Sequence, residues 1–300
     1  MSLSKQLNIN TPSPEQALTA SWLDKKALTL TIKRDDLVHP VISGNKWRKL
    51  VYPLAEAQQK QVKHIISFGG GFSNHLHALG YCCYKLGIKF TAIVRGDYSS
   101  NLSPMLNDLL AWQTHVQYVN RITYKKRNDP SYLEELTKAY PDSLIIPEGG
   151  SQQQALKGVA NIVTELQHQY DYIIAPVASG GTLAGLINCA ANFSPATQVI
   201  GIGVLKGQGY LEELVASFLP NGQTYSNWKI IHDYHFGGYG KSTPELNQFC
   251  SDFLAHFHIP IEPVYSGKLC YGIKDLANRD YFPKNSKILA LHTGGLQGAR

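Results

Sequence analysis

Residues 172–185 read Tyr172-Ile173-Ile174-Ala175-Pro176-Val177-Ala178-Ser179-Gly180-Gly181-Thr182-Leu183-Ala184-Gly185. An apolar run stops at a Ser-Gly-Gly-Thr turn, and apolar residues at helical spacing follow it. The same beat of strand, tight turn and helix recurs along the chain. The pattern predicts strands at 28–32, 64–68, 90–94, 116–119, 144–146, 172–175, 199–204, 229–231 and 287–291. It predicts helices at 45–59, 74–86, 104–112, 131–140, 152–168, 182–192, 211–218, 244–257 and 272–277. Such alternation argues for an α/β fold with mostly parallel sheets covered by helices. Strands that are apolar throughout, such as His64-Ile65-Ile66-Ser67-Phe68, suit burial on both faces. In these sheets ligands bind beyond the carboxyl ends of the strands, where the Gly-rich turns lie.

The chain has 300 residues, 43% of them hydrophobic, enough for one large or two modest domains. Its formal charge of +6 is dispersed. The densest basic run, Lys125-Lys126-Arg127, lies in a polar, turn-like stretch without interleaved aromatics, so no nucleic-acid partner is expected. No apolar stretch is long enough to span a membrane. Residues 1–16 are polar and lack the apolar core of a secretory signal. Cys82, Cys83, Cys189, Cys250 and Cys270 show no C-x-x-C spacing, so no metal site is expected. A cytoplasmic protein follows as the expectation.

Several stretches carry candidate chemistry. In Gly44-Asn45-Lys46-Trp47-Arg48-Lys49 a lysine falls on the first turn of a predicted helix. The helix dipole and the neighbouring cations Arg48 and Lys49 disfavour its charge there, and a neutral amine is a nucleophile and base. Such a lysine is a candidate Schiff-base former, for which the common carbonyl cofactor is pyridoxal phosphate. Ser179, Gly180, Gly181 and Thr182 open a helix after a strand and form a candidate phosphate cup of backbone N–H groups and hydroxyls. Gly69-Gly70-Gly71-Phe72-Ser73-Asn74-His75 resembles a dinucleotide fingerprint but has Asn74 where Gly or Ala is needed. Ser73 and Asn74 instead occupy N-cap positions, where their polar groups suit a carboxylate or a phenolic oxygen, with His75 a further donor. Tyr239 and Tyr265 each lie in a Gly-flanked loop, where a phenol suits a ligand, and Thr293 follows the last strand. Gly240-Lys241-Ser242 is no P-loop end, because His235 stands where that motif requires glycine.

Taken in order, these motifs resemble the fold-type II pyridoxal-phosphate enzymes, which are tryptophan synthase β-like. The branch most similar contains D-cysteine desulfhydrase and 1-aminocyclopropane-1-carboxylate deaminase. The resemblance runs from Ile32-Lys33-Arg34-Asp35-Asp36 to His292-Thr293-Gly294-Gly295. It implies a larger cofactor-binding domain from residues 1–50 plus 159–300 and a smaller inserted α/β domain from residues 51–158. It implies a homodimer and a small amino-acid substrate. Lys46 would hold the cofactor aldehyde and move the substrate proton. Ser73, Asn74 and His75 would bind the substrate carboxylate, with Asn74 also on the cofactor's phenolic oxygen. Residues 179–182 would hold the phosphate, assisted by Lys49. Tyr239 and Tyr265 would match two active-site tyrosines, and Thr293 would sit near the pyridine nitrogen.

One residue departs from the deaminase pattern. Where the cyclopropane deaminases carry glutamate after the second tyrosine, this chain has Ser266. A carboxylate keeps the pyridine nitrogen protonated and the ring a strong electron sink, whereas a hydroxyl does not. Ring opening of the cyclopropane has no α-proton to remove and leans on that sink. The expected reaction is therefore β-elimination from D-cysteine to pyruvate, ammonia and sulfide. The alternatives are cyclopropane deamination to 2-oxobutyrate and ammonia, another fold-type II activity such as a racemase or a serine/threonine ammonia-lyase, or a non-catalytic pyridoxal-phosphate-binding protein.

Overall fold

The computed structural model describes residues 2–299. Ten strands form two sheets: β1 (Glu15–Leu18), β2 (Thr29–Lys33), β3 (His64–Gly70), β4 (Lys89–Arg95), β5 (His115–Val119), β6 (Ser143–Ile146), β7 (Tyr172–Val177), β8 (Gln198–Gly203), β9 (Trp228–Ile231) and β10 (Lys287–Leu291). The larger sheet has the order β1-β2-β10-β7-β8-β9 and the smaller β5-β4-β3-β6. Every pairing is parallel except β1 with β2. β7 is apolar and buried from Ile173 to Val177, as its sequence predicts. Among the described residues no helix is long and apolar enough to cross a membrane.

The helix Asn45–Gln59 ties the two sheets together. Trp47, Leu50, Leu54 and Ala57 face the core beneath the smaller sheet, beside Leu76, Leu79 and Ile146. Its other side carries Arg48, which is 1% exposed. Arg48 forks onto Asp35 through Nη2 to Oδ1 at 2.9 Å and Nε to Oδ2 at 3.1 Å. It also reaches both oxygens of Glu165, at 2.6 and 2.8 Å. The acidic motif at residues 35–36 is thus a structural anchor: Asp35 holds Arg48, while its backbone carbonyl accepts from Gly44 N–H at 2.8 Å.

A buried guanidinium between two carboxylates makes a test of this anchor. Removing one member of such a cluster leaves uncompensated charge, at a cost of about 3–5 kcal/mol. We expect Arg48→Met to lower the unfolding free energy by that amount in urea titrations, with the loss seen as a lower midpoint at unchanged slope.

Candidate active site

Strand ends and the N-termini of the helices beginning at Asn45, Asn74, Gly181 and Ser266 converge. Gly44 adopts φ 65° and ψ −147° just before Asn45, and the Thr293 carbonyl passes where its Cβ would be, 1.8 Å away. That close approach sets the turn after β10 directly against the helix that carries Lys46. His292 fixes the turn: its Nε2 meets Pro260 O at 2.7 Å and its Nδ1 accepts from Gly294 N–H at 3.2 Å.

The Asn45 side chain donates to Thr182 Oγ1 at 2.8 Å and accepts from Lys46 Nζ. Lys49 is 2% exposed, and its Nζ donates to Gly149 O, Ser151 Oγ and Ser179 Oγ at 3.1, 3.1 and 3.2 Å. Residues 179–182 therefore meet Lys49 directly and Lys46 through Asn45. Among the described residues no carboxylate forms a salt bridge with either ammonium. Burial pushes the Lys46 amine down to about 8, against the pull of Glu262. Burial, reinforced by Lys46, pushes Lys49 to about 7. The lowered basicity expected of Lys46 is present, but its leading cause is desolvation. Arg48 points away into its carboxylate pair, so it is not the neighbour responsible.

Ser73 caps the helix Asn74–Leu86, its Oγ accepting from Leu76 N–H at 3.2 Å, and its own proton remains available to a ligand. Asn74 Oδ1 accepts from Gln297 Nε2 at 2.5 Å. His75 differs from the donor expected. Ser67 Oγ gives its single proton to Ile146 O at 2.7 Å, so the 2.8 Å contact with His75 Nε2 places the imidazole proton on Nε2. His75 Nδ1 is left buried and without a partner. Burial, then the charges of Lys46 and Lys49, lowers its pKa to about 3, so the ring is neutral and offers the site a lone pair.

Tyr239 and Tyr265 meet hydroxyl to hydroxyl at 2.8 Å. Burial raises the Tyr265 phenol well above its usual value, and desolvation raises that of Tyr239 although the residue is 55% exposed, so the pair stays protonated at neutral pH and one of its two protons is spare. Tyr265 is the N-cap of the helix Ser266–Asn278, so the segment after it is helical and not a loop.

Glu262 was not singled out in the sequence. It is 4% exposed, and its carboxylate accepts from Val264, Tyr265 and Ser266 N–H at 2.7, 2.9 and 2.9 Å. Ser266 Oγ accepts from Glu262 N–H at 2.9 Å and donates to Glu262 Oε1 at 3.1 Å. Burial lifts the Glu262 carboxyl to about 7 despite these donors. The available signal was its place in Ile259-Pro260-Ile261-Glu262-Pro263, an acid in an otherwise apolar run. Asn45, Ser151 and Gln297 were also missed, since each joins the site through contacts distant in sequence.

The arrangement suits an anionic carbonyl compound. Among the described residues the buried Lys49 and half-buried Lys46 ammoniums have no carboxylate salt-bridge partner, and a hydroxyl-lined turn opens the helix Gly181–Phe193; the bare His75 Nδ1 can accept only from a donor on the ligand. Pyridoxal phosphate fits this donor set: an aldehyde for Lys46, and a phosphate for Lys49 and the turn.

Comparison with known proteins agrees. A Pyrococcus horikoshii protein provisionally named 1-aminocyclopropane-1-carboxylate deaminase is 32% identical over 280 residues, covering 89% of this chain and 84% of that protein. The mitochondrial bifunctional D-cysteine desulfhydrase/1-aminocyclopropane-1-carboxylate deaminase of Arabidopsis thaliana is 29% identical, covering 90% and 73%. The crystal structure of an ACC deaminase homologue superposes with a TM-score of 0.83 at 27% identity, covering 99% of this chain and 95% of that one. The sequence pattern of one enzyme family matches residues 8–294, nearly the whole chain including every candidate residue, and the chain accordingly belongs to the pyridoxal-phosphate dependent enzymes.

Proposed function

We propose that this enzyme carries out a deaminating β-elimination on a small amino acid, with D-cysteine converted to pyruvate, ammonia and sulfide. The observation that carries the reading is a half-buried Lys46, held by Asn45 and with its amine pushed down to about 8 by desolvation, in a site that also holds a hydrogen-bonded phenol pair and two anion cradles. When bound, pyridoxal phosphate supplies the electron sink for a carbanion α to the substrate carboxylate. Lys49, Ser179, Thr182 and the N–H groups of Gly180 and Gly181 would hold its phosphate. Thr293 would face its pyridine nitrogen, and Asn74 would hydrogen-bond its phenolic oxygen. Ser73 Oγ–H and the Asn74 amide bind the substrate carboxylate, with His75 behind them. Lys46 Nζ takes the α-proton. The spare proton of the Tyr239–Tyr265 pair goes to the departing sulfur. The reading includes a homodimer, usual in the family resembled. It includes a cytoplasmic location, supported by five buried cysteines that are all unpaired.

A second reading, deamination of 1-aminocyclopropane-1-carboxylate, is favoured by Glu262. Ser266 stands where a weak electron sink was expected, but its hydroxyl donates to a carboxylate 3.1 Å away. That hydroxyl, its proton held by Glu262 and one lone pair taken by Glu262 N–H, keeps one lone pair, which would support a protonated ring nitrogen placed against it. Ser266 therefore does not exclude ring opening. Keto-acid release from both substrates, assayed side by side with pyridoxal phosphate, separates the readings. We expect pyruvate with sulfide from D-cysteine. Release of 2-oxobutyrate from the cyclopropane alone would carry the second reading, and no product from either would remove both.

A further inference from the structure

Lys268 lies outside the machinery assigned above. It is 0% exposed on the first turn of the helix Ser266–Asn278. Its Nζ donates to Val204 O at 3.1 Å, His235 O at 2.9 Å and Gly238 O at 2.9 Å. Three carbonyls thus take the three protons of one ammonium, with no carboxylate in the cage. Burial lowers its pKa to about 8, with Glu262 opposing from further off, so the group is charged at pH 7. Val204 immediately follows β8, whereas His235 and Gly238 belong to the loop that carries Tyr239. That loop has an unusual backbone: Phe236, Gly237, Gly238 and Gly240 have φ of 49°, 92°, 132° and 67°. A Cβ at Gly238 or Gly240 would meet nothing within 4 Å, so steric confinement does not impose this path. Strained runs persist only where the surroundings over-determine them. Here the Phe236 ring packs on Tyr271, and Lys268 provides the backbone ties to the rest of the fold. The same lysine sits three residues after Tyr265, whose hydroxyl meets that of Tyr239.

We propose that Lys268 is a positioning residue, a tethered monovalent cation that holds residues 235–240 and through them the Tyr239 hydroxyl. The inference rests on the reading of Tyr239 as part of the proton-donating pair. A cage of backbone carbonyls that accepts an ammonium also accepts a potassium ion, since such oxygens replace the hydration shell of either. Truncating the side chain would therefore leave a site for a free cation.

The test compares Lys268→Ala with wild type, measuring D-cysteine turnover and thermal midpoint in choline chloride, potassium chloride and ammonium chloride. We expect wild type to be indifferent to the cation. The variant should lose about tenfold or more in kcat, with a smaller change in KM, in choline. It should recover most of the loss, and gain thermal midpoint, in potassium or ammonium. Combined with Tyr239→Phe it should be little slower than the slower single variant, because both act through one hydroxyl. A purely structural lysine gives losses that multiply. Wild-type turnover in Lys268→Ala, independent losses, or no response to any cation would overturn the proposal. Lys268→Met keeps the packed stem without the charge, so wild-type kcat in that variant overturns it even where the alanine variant does not fold. A Tyr239→Phe enzyme of normal activity would remove the role given to Tyr239 and with it the positioning role, while the cation-dependent thermal midpoint still reports the cage itself.

Discussion

Lys46→Ala is expected to lose D-cysteine turnover by about 10²- to 10⁴-fold, the range for removing a positioned general base. The fold should survive. Among the described residues its side chain hydrogen-bonds only Asn45, and its charge is disfavoured by desolvation. A lysine whose pKa falls from 10.5 to about 8 on folding binds fewer protons folded than unfolded between those values. Its contribution to stability therefore rises with pH across that window, and at neutral pH the buried charge is a cost. The alanine variant should match or exceed wild type in thermal midpoint at pH 7, and pyridoxal phosphate should still bind through Lys49 and the turn at residues 179–182. The wild-type rate should climb as pH passes about 8, where Lys46 becomes neutral, and then level off. Substantial turnover by Lys46→Ala would remove the role assigned to this amine. A rate that falls through pH 8 would mean that the charged form is the working one.

Much of this site was legible because its signals are local. The helices Asn45–Gln59 and Asn74–Leu86 begin and end where periodicity and capping residues place them, Ser73 being the N-cap of the second. Turns after β3, β7 and β10 carry the residues chosen from sequence, since parallel sheets put ligands at those strand ends. What was missed depends on tertiary contact. β1 (Glu15–Leu18) is an antiparallel edge strand with only Leu18 fully buried, so it shows no apolar run. The helix Ser266–Asn278 was predicted only from residue 272; its first turns hold Gly267, which is buried where Cys250 and Glu262 leave no room for a Cβ, a tertiary contact that sequence does not display. The basicity of Lys46 was anticipated in direction and not in cause: charge spacing along a helix is visible in sequence, desolvation is not. Glu262 shows the same limit. Its carboxylate reaches Ser266 only because the chain turns back on itself before the helix starts, and that turn alters what Ser266 can do.

Gly44→Ala should be the most damaging single methyl in the protein. The added carbon would lie 1.8 Å from Thr293 O, 2.1 Å from its carbonyl carbon and 2.5 Å from Gly294 N. Relief requires one backbone to move, and both are tied. Gly44 N–H donates to Asp35 O at 2.8 Å, and His292 N–H to Lys33 O at 3.0 Å, with the His292 ring bracing the turn from the other side. The backbone itself, at φ 65° and ψ −147°, is open essentially to glycine alone. Overpacking of this kind and the strained φ together are expected to cost more than about 3 kcal/mol. Gly87→Ala provides the control. Gly87 has φ 66° at the end of the helix Asn74–Leu86, but nothing lies within 4 Å of its Cβ position, so its substitution should cost only about 1 kcal/mol. The excess loss at Gly44 in urea unfolding then measures the collision with Thr293. Whatever folded Gly44→Ala remains should turn over about 10²-fold more slowly, because a displacement near 1 Å at a reacting group is enough for that. Equal destabilisation by the two substitutions would mean that the approach of Thr293 to Gly44 yields readily, and that this contact does not fix where Lys46 stands.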